Sequence, residues 1–116
     1  RVLFRSPSVS EAVLEINDAN MAQLVQSQPG LFLLDVWASW CGPCRLIAPV
    51  IAQAAARYAG RVRVGKADCD ANPELVKAFG AQGLPTLLLF RDGQEIKRHE
   101  GALTLASLAA FLDAEL

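Results

Sequence analysis

Residues 31–37 read LFLLDVW, apolar at every position except one aspartate. A run of strand length with no alternation between polar and apolar residues marks a strand buried on both faces. Such a strand belongs in a parallel sheet with helices packed on both sides. The flanks agree with this. Pro29-Gly30 stops whatever precedes the run, and from Cys41 to Tyr58 the pattern turns helical and alanine-rich, with Gly60 behind it.

The rest of the chain supplies neighbours for that strand. AVLEI (12–16) is a short strand candidate. NDANMAQLVQSQPG (17–30) reads as a helix capped by Asn17 or Asp18. RVRVGKA (61–67) is another strand, and Asn72-Pro73 caps a short helix, PELVKAF, that Gly80 ends. TLLLFRDGQEIKRHEG (86–101) reads as a hairpin, since Asp92-Gly93 is a favoured two-residue turn. Thr104 caps a last helix whose Leu105, Leu108, Ala109 and Leu112 share one face. The expectation is an α/β fold: a central mixed sheet of about five strands flanked by about four helices, its parallel core extended by an antiparallel hairpin.

Composition bounds the function. The 116 residues suit one domain, placed at 12–116, with residues 1–11 left as an unassigned extension. At 53% hydrophobic and 20% charged the chain can bury a core. A formal net charge of -1, with scattered arginines and lysines, argues against nucleic acid or an anionic membrane as partner. No apolar run approaches the roughly 18 residues of a membrane span. The opening RVLFRSPSVS is too short and too polar for a signal peptide.

Three cysteines are too few, and odd in number, for a secreted disulfide framework. Two of them, Cys41 and Cys44, flank a Gly-Pro pair in WASWCGPCR (37–45), where the strand hands over to the helix. Residues three apart on a helix bring their Cβ atoms within about 5–6 Å, close to disulfide range. Closing so small a loop barely constrains the unfolded chain, so the pair is a poor staple and a good switch. Cys41 sits where free N–H groups and the positive end of the helix dipole favour thiolate, the attacking species in exchange. Cys44, one turn in, is expected to be more buried and to stay protonated until needed. Gly42 keeps the approach open. Pro43 stiffens the first turn, and Pro49 is expected to kink the helix. A structural zinc site wants four ligands, and only Cys69 and His99 stand elsewhere, each alone. Arg45 in place of histidine removes the CxxCH haem pattern.

WCGPC (40–44), together with GLPT (83–86) and the Asp-Gly hairpin, resembles the thioredoxin family, and the resemblance covers about Ala12 to Leu116. It implies the thioredoxin fold and a protein disulfide reductase. Pro85 matches the family's cis-proline facing the cysteines, and the backbone of Leu84 would pair with an extended substrate peptide. Trp40, Gly42, Pro43, Leu84, Gly101 and Ala102 would form the apolar contact surface, with Trp37 packed beneath. Asp35 matches the aspartate that assists proton transfer at the buried thiol; burial would raise its pKa. The plain alternative is a partly exposed charge at a strand end. Lys66 matches a lysine near that aspartate, against the plain alternative of a solvated strand face. Cys69 has no essential counterpart and reads as a small apolar core residue. His99 reads as a solvated side chain, and Asp68 and Asp70 as a solvated turn.

The expected reaction is attack by Cys41 on a substrate disulfide, then release by Cys44. No bound cofactor is needed. The resemblance implies disulfide-containing protein substrates, an NADPH-dependent flavoprotein reductase as partner, and a cytoplasmic setting. Nothing demands more than a monomer. Three alternatives stand beside this: a disulfide oxidase or isomerase of an oxidising compartment, the thioredoxin-like part of a larger chaperone or adaptor, and a metal site.

Overall fold

A computed structural model describes residues 12–116; the extension at 1–11 lies outside the described residues. Strand β1 (Val13–Glu15) leads through a single π-helical turn (Ala22–Gln26) to β2 (Leu31–Trp37) and helix α1 (Gly42–Arg57). Strand β3 (Val62–Asp68), helix α2 (Pro73–Phe79), the hairpin β4 (Thr86–Arg91) and β5 (Gln94–Glu100), and helix α3 (Leu105–Asp113) follow. The sheet order is β1-β3-β2-β4-β5. β1, β3 and β2 run parallel, while β4 and β5 are antiparallel additions. The LFLLDVW strand is thus central, as its composition requires.

Alternation along β2 divides the core. Leu31 and Leu33 join Ile47 and Ile51 of α1 and Leu108 and Leu112 of α3 on one face. Phe32, Leu34 and Val36 join Val25 of the π-helical turn and Leu75 of α2 on the other. Gly65 of β3 belongs to this second layer: a Cβ there would stand 2.7 Å from the Phe32 ring and 2.8 Å from Ile16. The absence of a side chain lets Phe32 fill the layer.

Two local expectations are corrected. The helix over 17–30 contracts to a π-helical turn at Ala22–Gln26, but the expected Asn17 does cap the turn before it, and the Met21 N–H donates to the Asn17 carbonyl at 3.0 Å. Asn17 Oδ1 accepts the N–H groups of Ala19 and Asn20, both at 2.9 Å, and Asn20 Nδ2 donates to the Glu15 carbonyl. Asn72 occupies the N-cap position of α2 but makes no cap bond. Its Oδ1 accepts the Asp18 N–H at 3.0 Å, and it is Asp18 that caps α2, accepting the Leu75 N–H at 2.9 Å. The two residues exchange roles across the contact between the π-helical turn and α2.

The other terminators act as expected. Thr104 Oγ1 accepts the Ser107 N–H at 3.1 Å. Asp92 and Gly93 both take positive φ, 52° and 86°, which is the primed turn that suits the twist of a hairpin. Asp92 also ties that turn to the start of β2, its carboxylate accepting the Gly30 N–H at 2.7 Å. α1 continues past Pro49 to Arg57.

Candidate active site

Parity along β2 aims Asp35 at α1, since it shares a face with Leu31 and Leu33. α1 begins immediately after Cys41, whose extended backbone makes it the N-cap; its Sγ accepts the Cys44 N–H at 3.2 Å. Cys41 and Cys44 are joined as a disulfide, their Cα atoms 5.3 Å apart. Sequence reasoning expected an exposed Cys41 above a buried Cys44. In the disulfide form both are buried, at 5% and 3% exposure. Trp37, Cys69 and Leu84 pack around the pair, which closes most of the space over Cys41.

What distinguishes the two cysteines is the space each borders. Cys44 borders a half-open chamber of about 220 Å³ between the sheet and α1, lined by Asp35, Trp37, Lys66, the small residues Ala48 and Ala52, and the exposed Arg45. Cys41 borders a separate, more open groove of about 480 Å³, together with Trp40, Gly42, Pro43 and Leu84. The disulfide therefore lies between a surface groove and a half-open chamber.

The chamber is electrostatically poised. Burial pushes the Asp35 carboxyl from 3.8 up to about 7, and the attraction of Lys66 only partly opposes that rise. Lys66 stands directly across the β2–β3 ladder from Asp35. Its ammonium lies 5.4 Å over the Trp37 ring. Asp35 Oδ1 and Trp37 Nε1 are buried and without a hydrogen-bond partner among the described residues. A carboxyl titrating near neutrality beside Cys44 suits a group that must take up and return a proton.

The Leu84–Pro85 peptide is cis. Gly101 donates its N–H to the Pro85 carbonyl at 2.8 Å, which ties the end of β5 to the proline loop. Gly101 thus stands beside this loop, with Ala102 following it in the chain. Trp40 is 67% exposed at the groove's edge. Its indole N–H donates to Asp70 Oδ2 at 2.8 Å.

Sequence reasoning missed part of the groove. Cys69 is a free, half-buried thiol in its wall, not a deep core residue, and Val76, Ala81 and Gln82 complete that wall. Periodicity could place Val76 on α2 but carried no sign that α2 borders the cysteines. Asp68 and Asp70 are more than a solvated turn. Asp68 accepts the Asp70 N–H at 2.9 Å, and Asp70 accepts from Trp40 and from the Cys69 thiol at 3.7 Å. Burial first, then the charges of Asp70 and Asp68, push the Cys69 thiol's pKa up. The ligand atoms of Asp68, Cys69 and Asp70 lie within 4.8 Å of one another. His99 is half-buried in β5, opposite Leu87.

Among the described residues no helix is long and apolar enough to cross a membrane. The thioredoxin family model matches residues 12–114. Thioredoxin from Pseudomonas aeruginosa is 43% identical over 108 residues, which cover 93% of this chain and all of that protein. Thioredoxin from Acidithiobacillus ferridurans is 42% identical with the same coverage, and that from Mycobacterium bovis 43% identical over 87% of each chain. A five-stranded mixed sheet, a WCGPC disulfide at the head of α1 and these relatives over nearly their whole length agree: the chain belongs to the thioredoxin family.

Proposed function

We propose that this thiol-disulfide oxidoreductase reduces disulfide bonds of other proteins, with Cys41 as the attacking sulfur and Cys44 as the resolving one. The observation that carries this division is the pair of separate spaces: Cys41 borders the open groove, Cys44 the chamber that holds Asp35. In the dithiol form the helix N-terminus favours thiolate at Cys41, whose sulfur already accepts a backbone N–H. The thiolate attacks one sulfur of a substrate disulfide, forming a mixed disulfide and releasing the other substrate sulfur as thiolate. Asp35 then takes the Cys44 proton. Cys44 thiolate attacks Cys41 Sγ, the Cys41–Cys44 bond forms, and the second substrate sulfur leaves. Two electrons pass from the cysteine pair to the substrate.

Trp40, Gly42, Pro43 and Leu84 supply the docking surface, and the backbone of Leu84 pairs with the extended substrate segment. Lys66 tunes Asp35 through its charge. No step calls for a bound cofactor. Membership of the thioredoxin family supports two further parts of the proposal, an NADPH-dependent flavoprotein that regenerates the dithiol and a cytoplasmic setting.

Sulfur-specific trapping tests the division of labour. Cys44→Ser permits the first attack and blocks the second, so a mixed disulfide with a protein substrate accumulates on a non-reducing gel and dissolves with dithiothreitol. Cys41→Ser leaves Cys44, which faces the chamber, and Cys69, whose thiolate is disfavoured, and traps little. Equal trapping by both variants would overturn the assignment.

A further inference from the structure

We infer that Asp70 is a positioning residue for the docking groove: its carboxylate fixes the Trp40 indole at the groove's edge and so sets affinity for protein substrates. The inference rests on the docking role given to Trp40 above and adds a residue to which that reading assigns nothing. Trp40 is 67% exposed, so packing does little to select its rotamer. A side chain this free would lose conformational entropy each time a substrate docked. Among the described residues its indole has one polar anchor, Asp70 Oδ2, at 2.8 Å and thirty residues away in sequence. A carboxylate acceptor makes a stronger hydrogen bond than a neutral one.

Asp70 is itself oriented from two further directions. Its backbone N–H donates to Asp68 Oδ1 at 2.9 Å, which holds the turn after β3. The Cys69 thiol donates to its other oxygen, Oδ1, at 3.7 Å, leaving Oδ2 to the indole. Burial and the two aspartate charges keep that thiol protonated, so it remains a donor. Cys69 also lines the groove wall with Trp40 and Cys41. A bare "DCD" turn thus becomes a bracket that holds an aromatic side chain beside the reactive disulfide, and it acts through Trp40 without touching the exchanging sulfurs.

The test compares Asp70→Ala, Asp70→Asn and Trp40→Phe in dithiothreitol-driven turnover, once with a folded protein disulfide and once with a small aromatic disulfide. The loss of one hydrogen bond is expected to raise KM for the protein disulfide about threefold to tenfold in Asp70→Ala, with kcat and small-disulfide reduction nearly unchanged. Asp70→Asn keeps an acceptor oxygen but no charge, so it restores most of the loss if the hydrogen bond matters. The Trp40 indole N–H resonance, identified by its absence in Trp40→Phe, shifts in Asp70→Ala and returns towards its position in Asp70→Asn. If Trp40→Phe raises KM while Asp70→Ala changes neither KM nor the resonance, the positioning role is overturned and the docking role of Trp40 stands. If Trp40→Phe leaves KM unchanged, the docking reading falls and takes this inference with it. If Asp70→Asn behaves as Asp70→Ala does, charge rather than the bond is responsible and the inference is overturned.

Discussion

Asp35 and Lys66 face each other across the β2–β3 ladder, yet no ion pair within 4.0 Å joins them; the Lys66 ammonium lies over the Trp37 ring instead. The carboxylate therefore keeps most of its desolvation penalty. The folded pKa of about 7 lies above the ordinary 3.8, so the folded protein holds a proton that the unfolded chain has lost. Below about pH 4 both states are protonated and Asp35 costs nothing. Between about pH 4 and 7 the cost grows, and above 7 it is constant. The shift from 3.8 to about 7 corresponds to roughly 4 kcal/mol. Asp35→Asn removes the titration. Its stability relative to the parent should rise across pH 4 to 7, reach at most that amount by pH 8, and level off. Urea unfolding at closely spaced pH values reads this directly. A pH-independent difference would mean that Asp35 is not protonated by burial.

The same titration governs the proposed resolving step. The carboxylate is the proton acceptor, and its fraction rises through pH 7. Release of substrate from the mixed disulfide should accelerate over that interval, and Asp35→Asn should abolish that acceleration. Lys66 lowers the Asp35 pKa, so Lys66→Met moves it upward. In single-turnover experiments the Lys66→Met midpoint should therefore lie at higher pH than the parent's, and adding Asp35→Asn should erase the difference. An unmoved midpoint would leave Lys66 as a spectator.

Much of this arrangement was legible in the residues. LFLLDVW could be placed at the sheet centre because burial on both faces leaves a continuous apolar signature, and Asp35 stood out because it interrupts one. The Asp-Gly turn and the Thr104 cap were legible because their bonds are local in sequence. The exchange between Asn72 and Asp18 was hidden for the opposite reason: the cap of α2 comes from 57 residues away, and local reading credits the nearest side chain. The groove wall was hidden likewise. The surroundings of Cys69 depend on where the turn after β3 lies against α1 and α2, and no periodicity encodes that. Its likeness to a small apolar residue gave the right chemistry and the wrong depth.

The exchanged cap predicts a loss at a residue that looks like a loop. Asp18→Ala removes the acceptor of the Leu75 N–H and should cost about 1 kcal/mol, the usual worth of an N-cap. Protease sensitivity should increase in α2 rather than around residue 18 alone. Disulfide reduction at a temperature where the variant is folded should be nearly unchanged. A variant as stable as the parent would show that the cap contributes nothing.

Gly65 tests the packing that keeps the sheet flush beneath the site. An added Cβ would meet the Phe32 ring at 2.7 Å, Ile16 at 2.8 Å and the Leu14 carbonyl at 3.1 Å. Phe32 and Ile16 are fully buried, and the carbonyl belongs to β1, which is paired with β3. None of the three can retreat without disturbing the layer. Overpacking of this kind typically costs about 1–3 kcal/mol, against about 0.5–1 kcal/mol gained by replacing glycine within a strand. Gly65→Ala should therefore lower the urea midpoint. An unchanged or higher midpoint would count against the close approach of Phe32.

Cys69 offers the sharpest check on which sulfurs react. It borders the groove with Cys41, but burial and the charges of Asp70 and Asp68 disfavour its thiolate. Thiolate is the species that alkylates and exchanges, so its scarcity outweighs proximity. In the oxidised protein, where Cys69 is the free thiol, iodoacetamide at pH 8 should modify it more slowly than it modifies the same residue in the urea-unfolded chain. Cys69→Ala should leave protein disulfide reduction within about twofold and cost about 1 kcal/mol or less, because a half-buried sulfur leaves a gap that neighbours or water can fill. Rapid alkylation, or a loss of turnover like that of Cys41→Ser, would mean that Cys69 takes part in the exchange. The mixed disulfide of Cys44→Ser distinguishes the two cases: it should form equally well with Cys69 replaced, since the bond to substrate is made by Cys41.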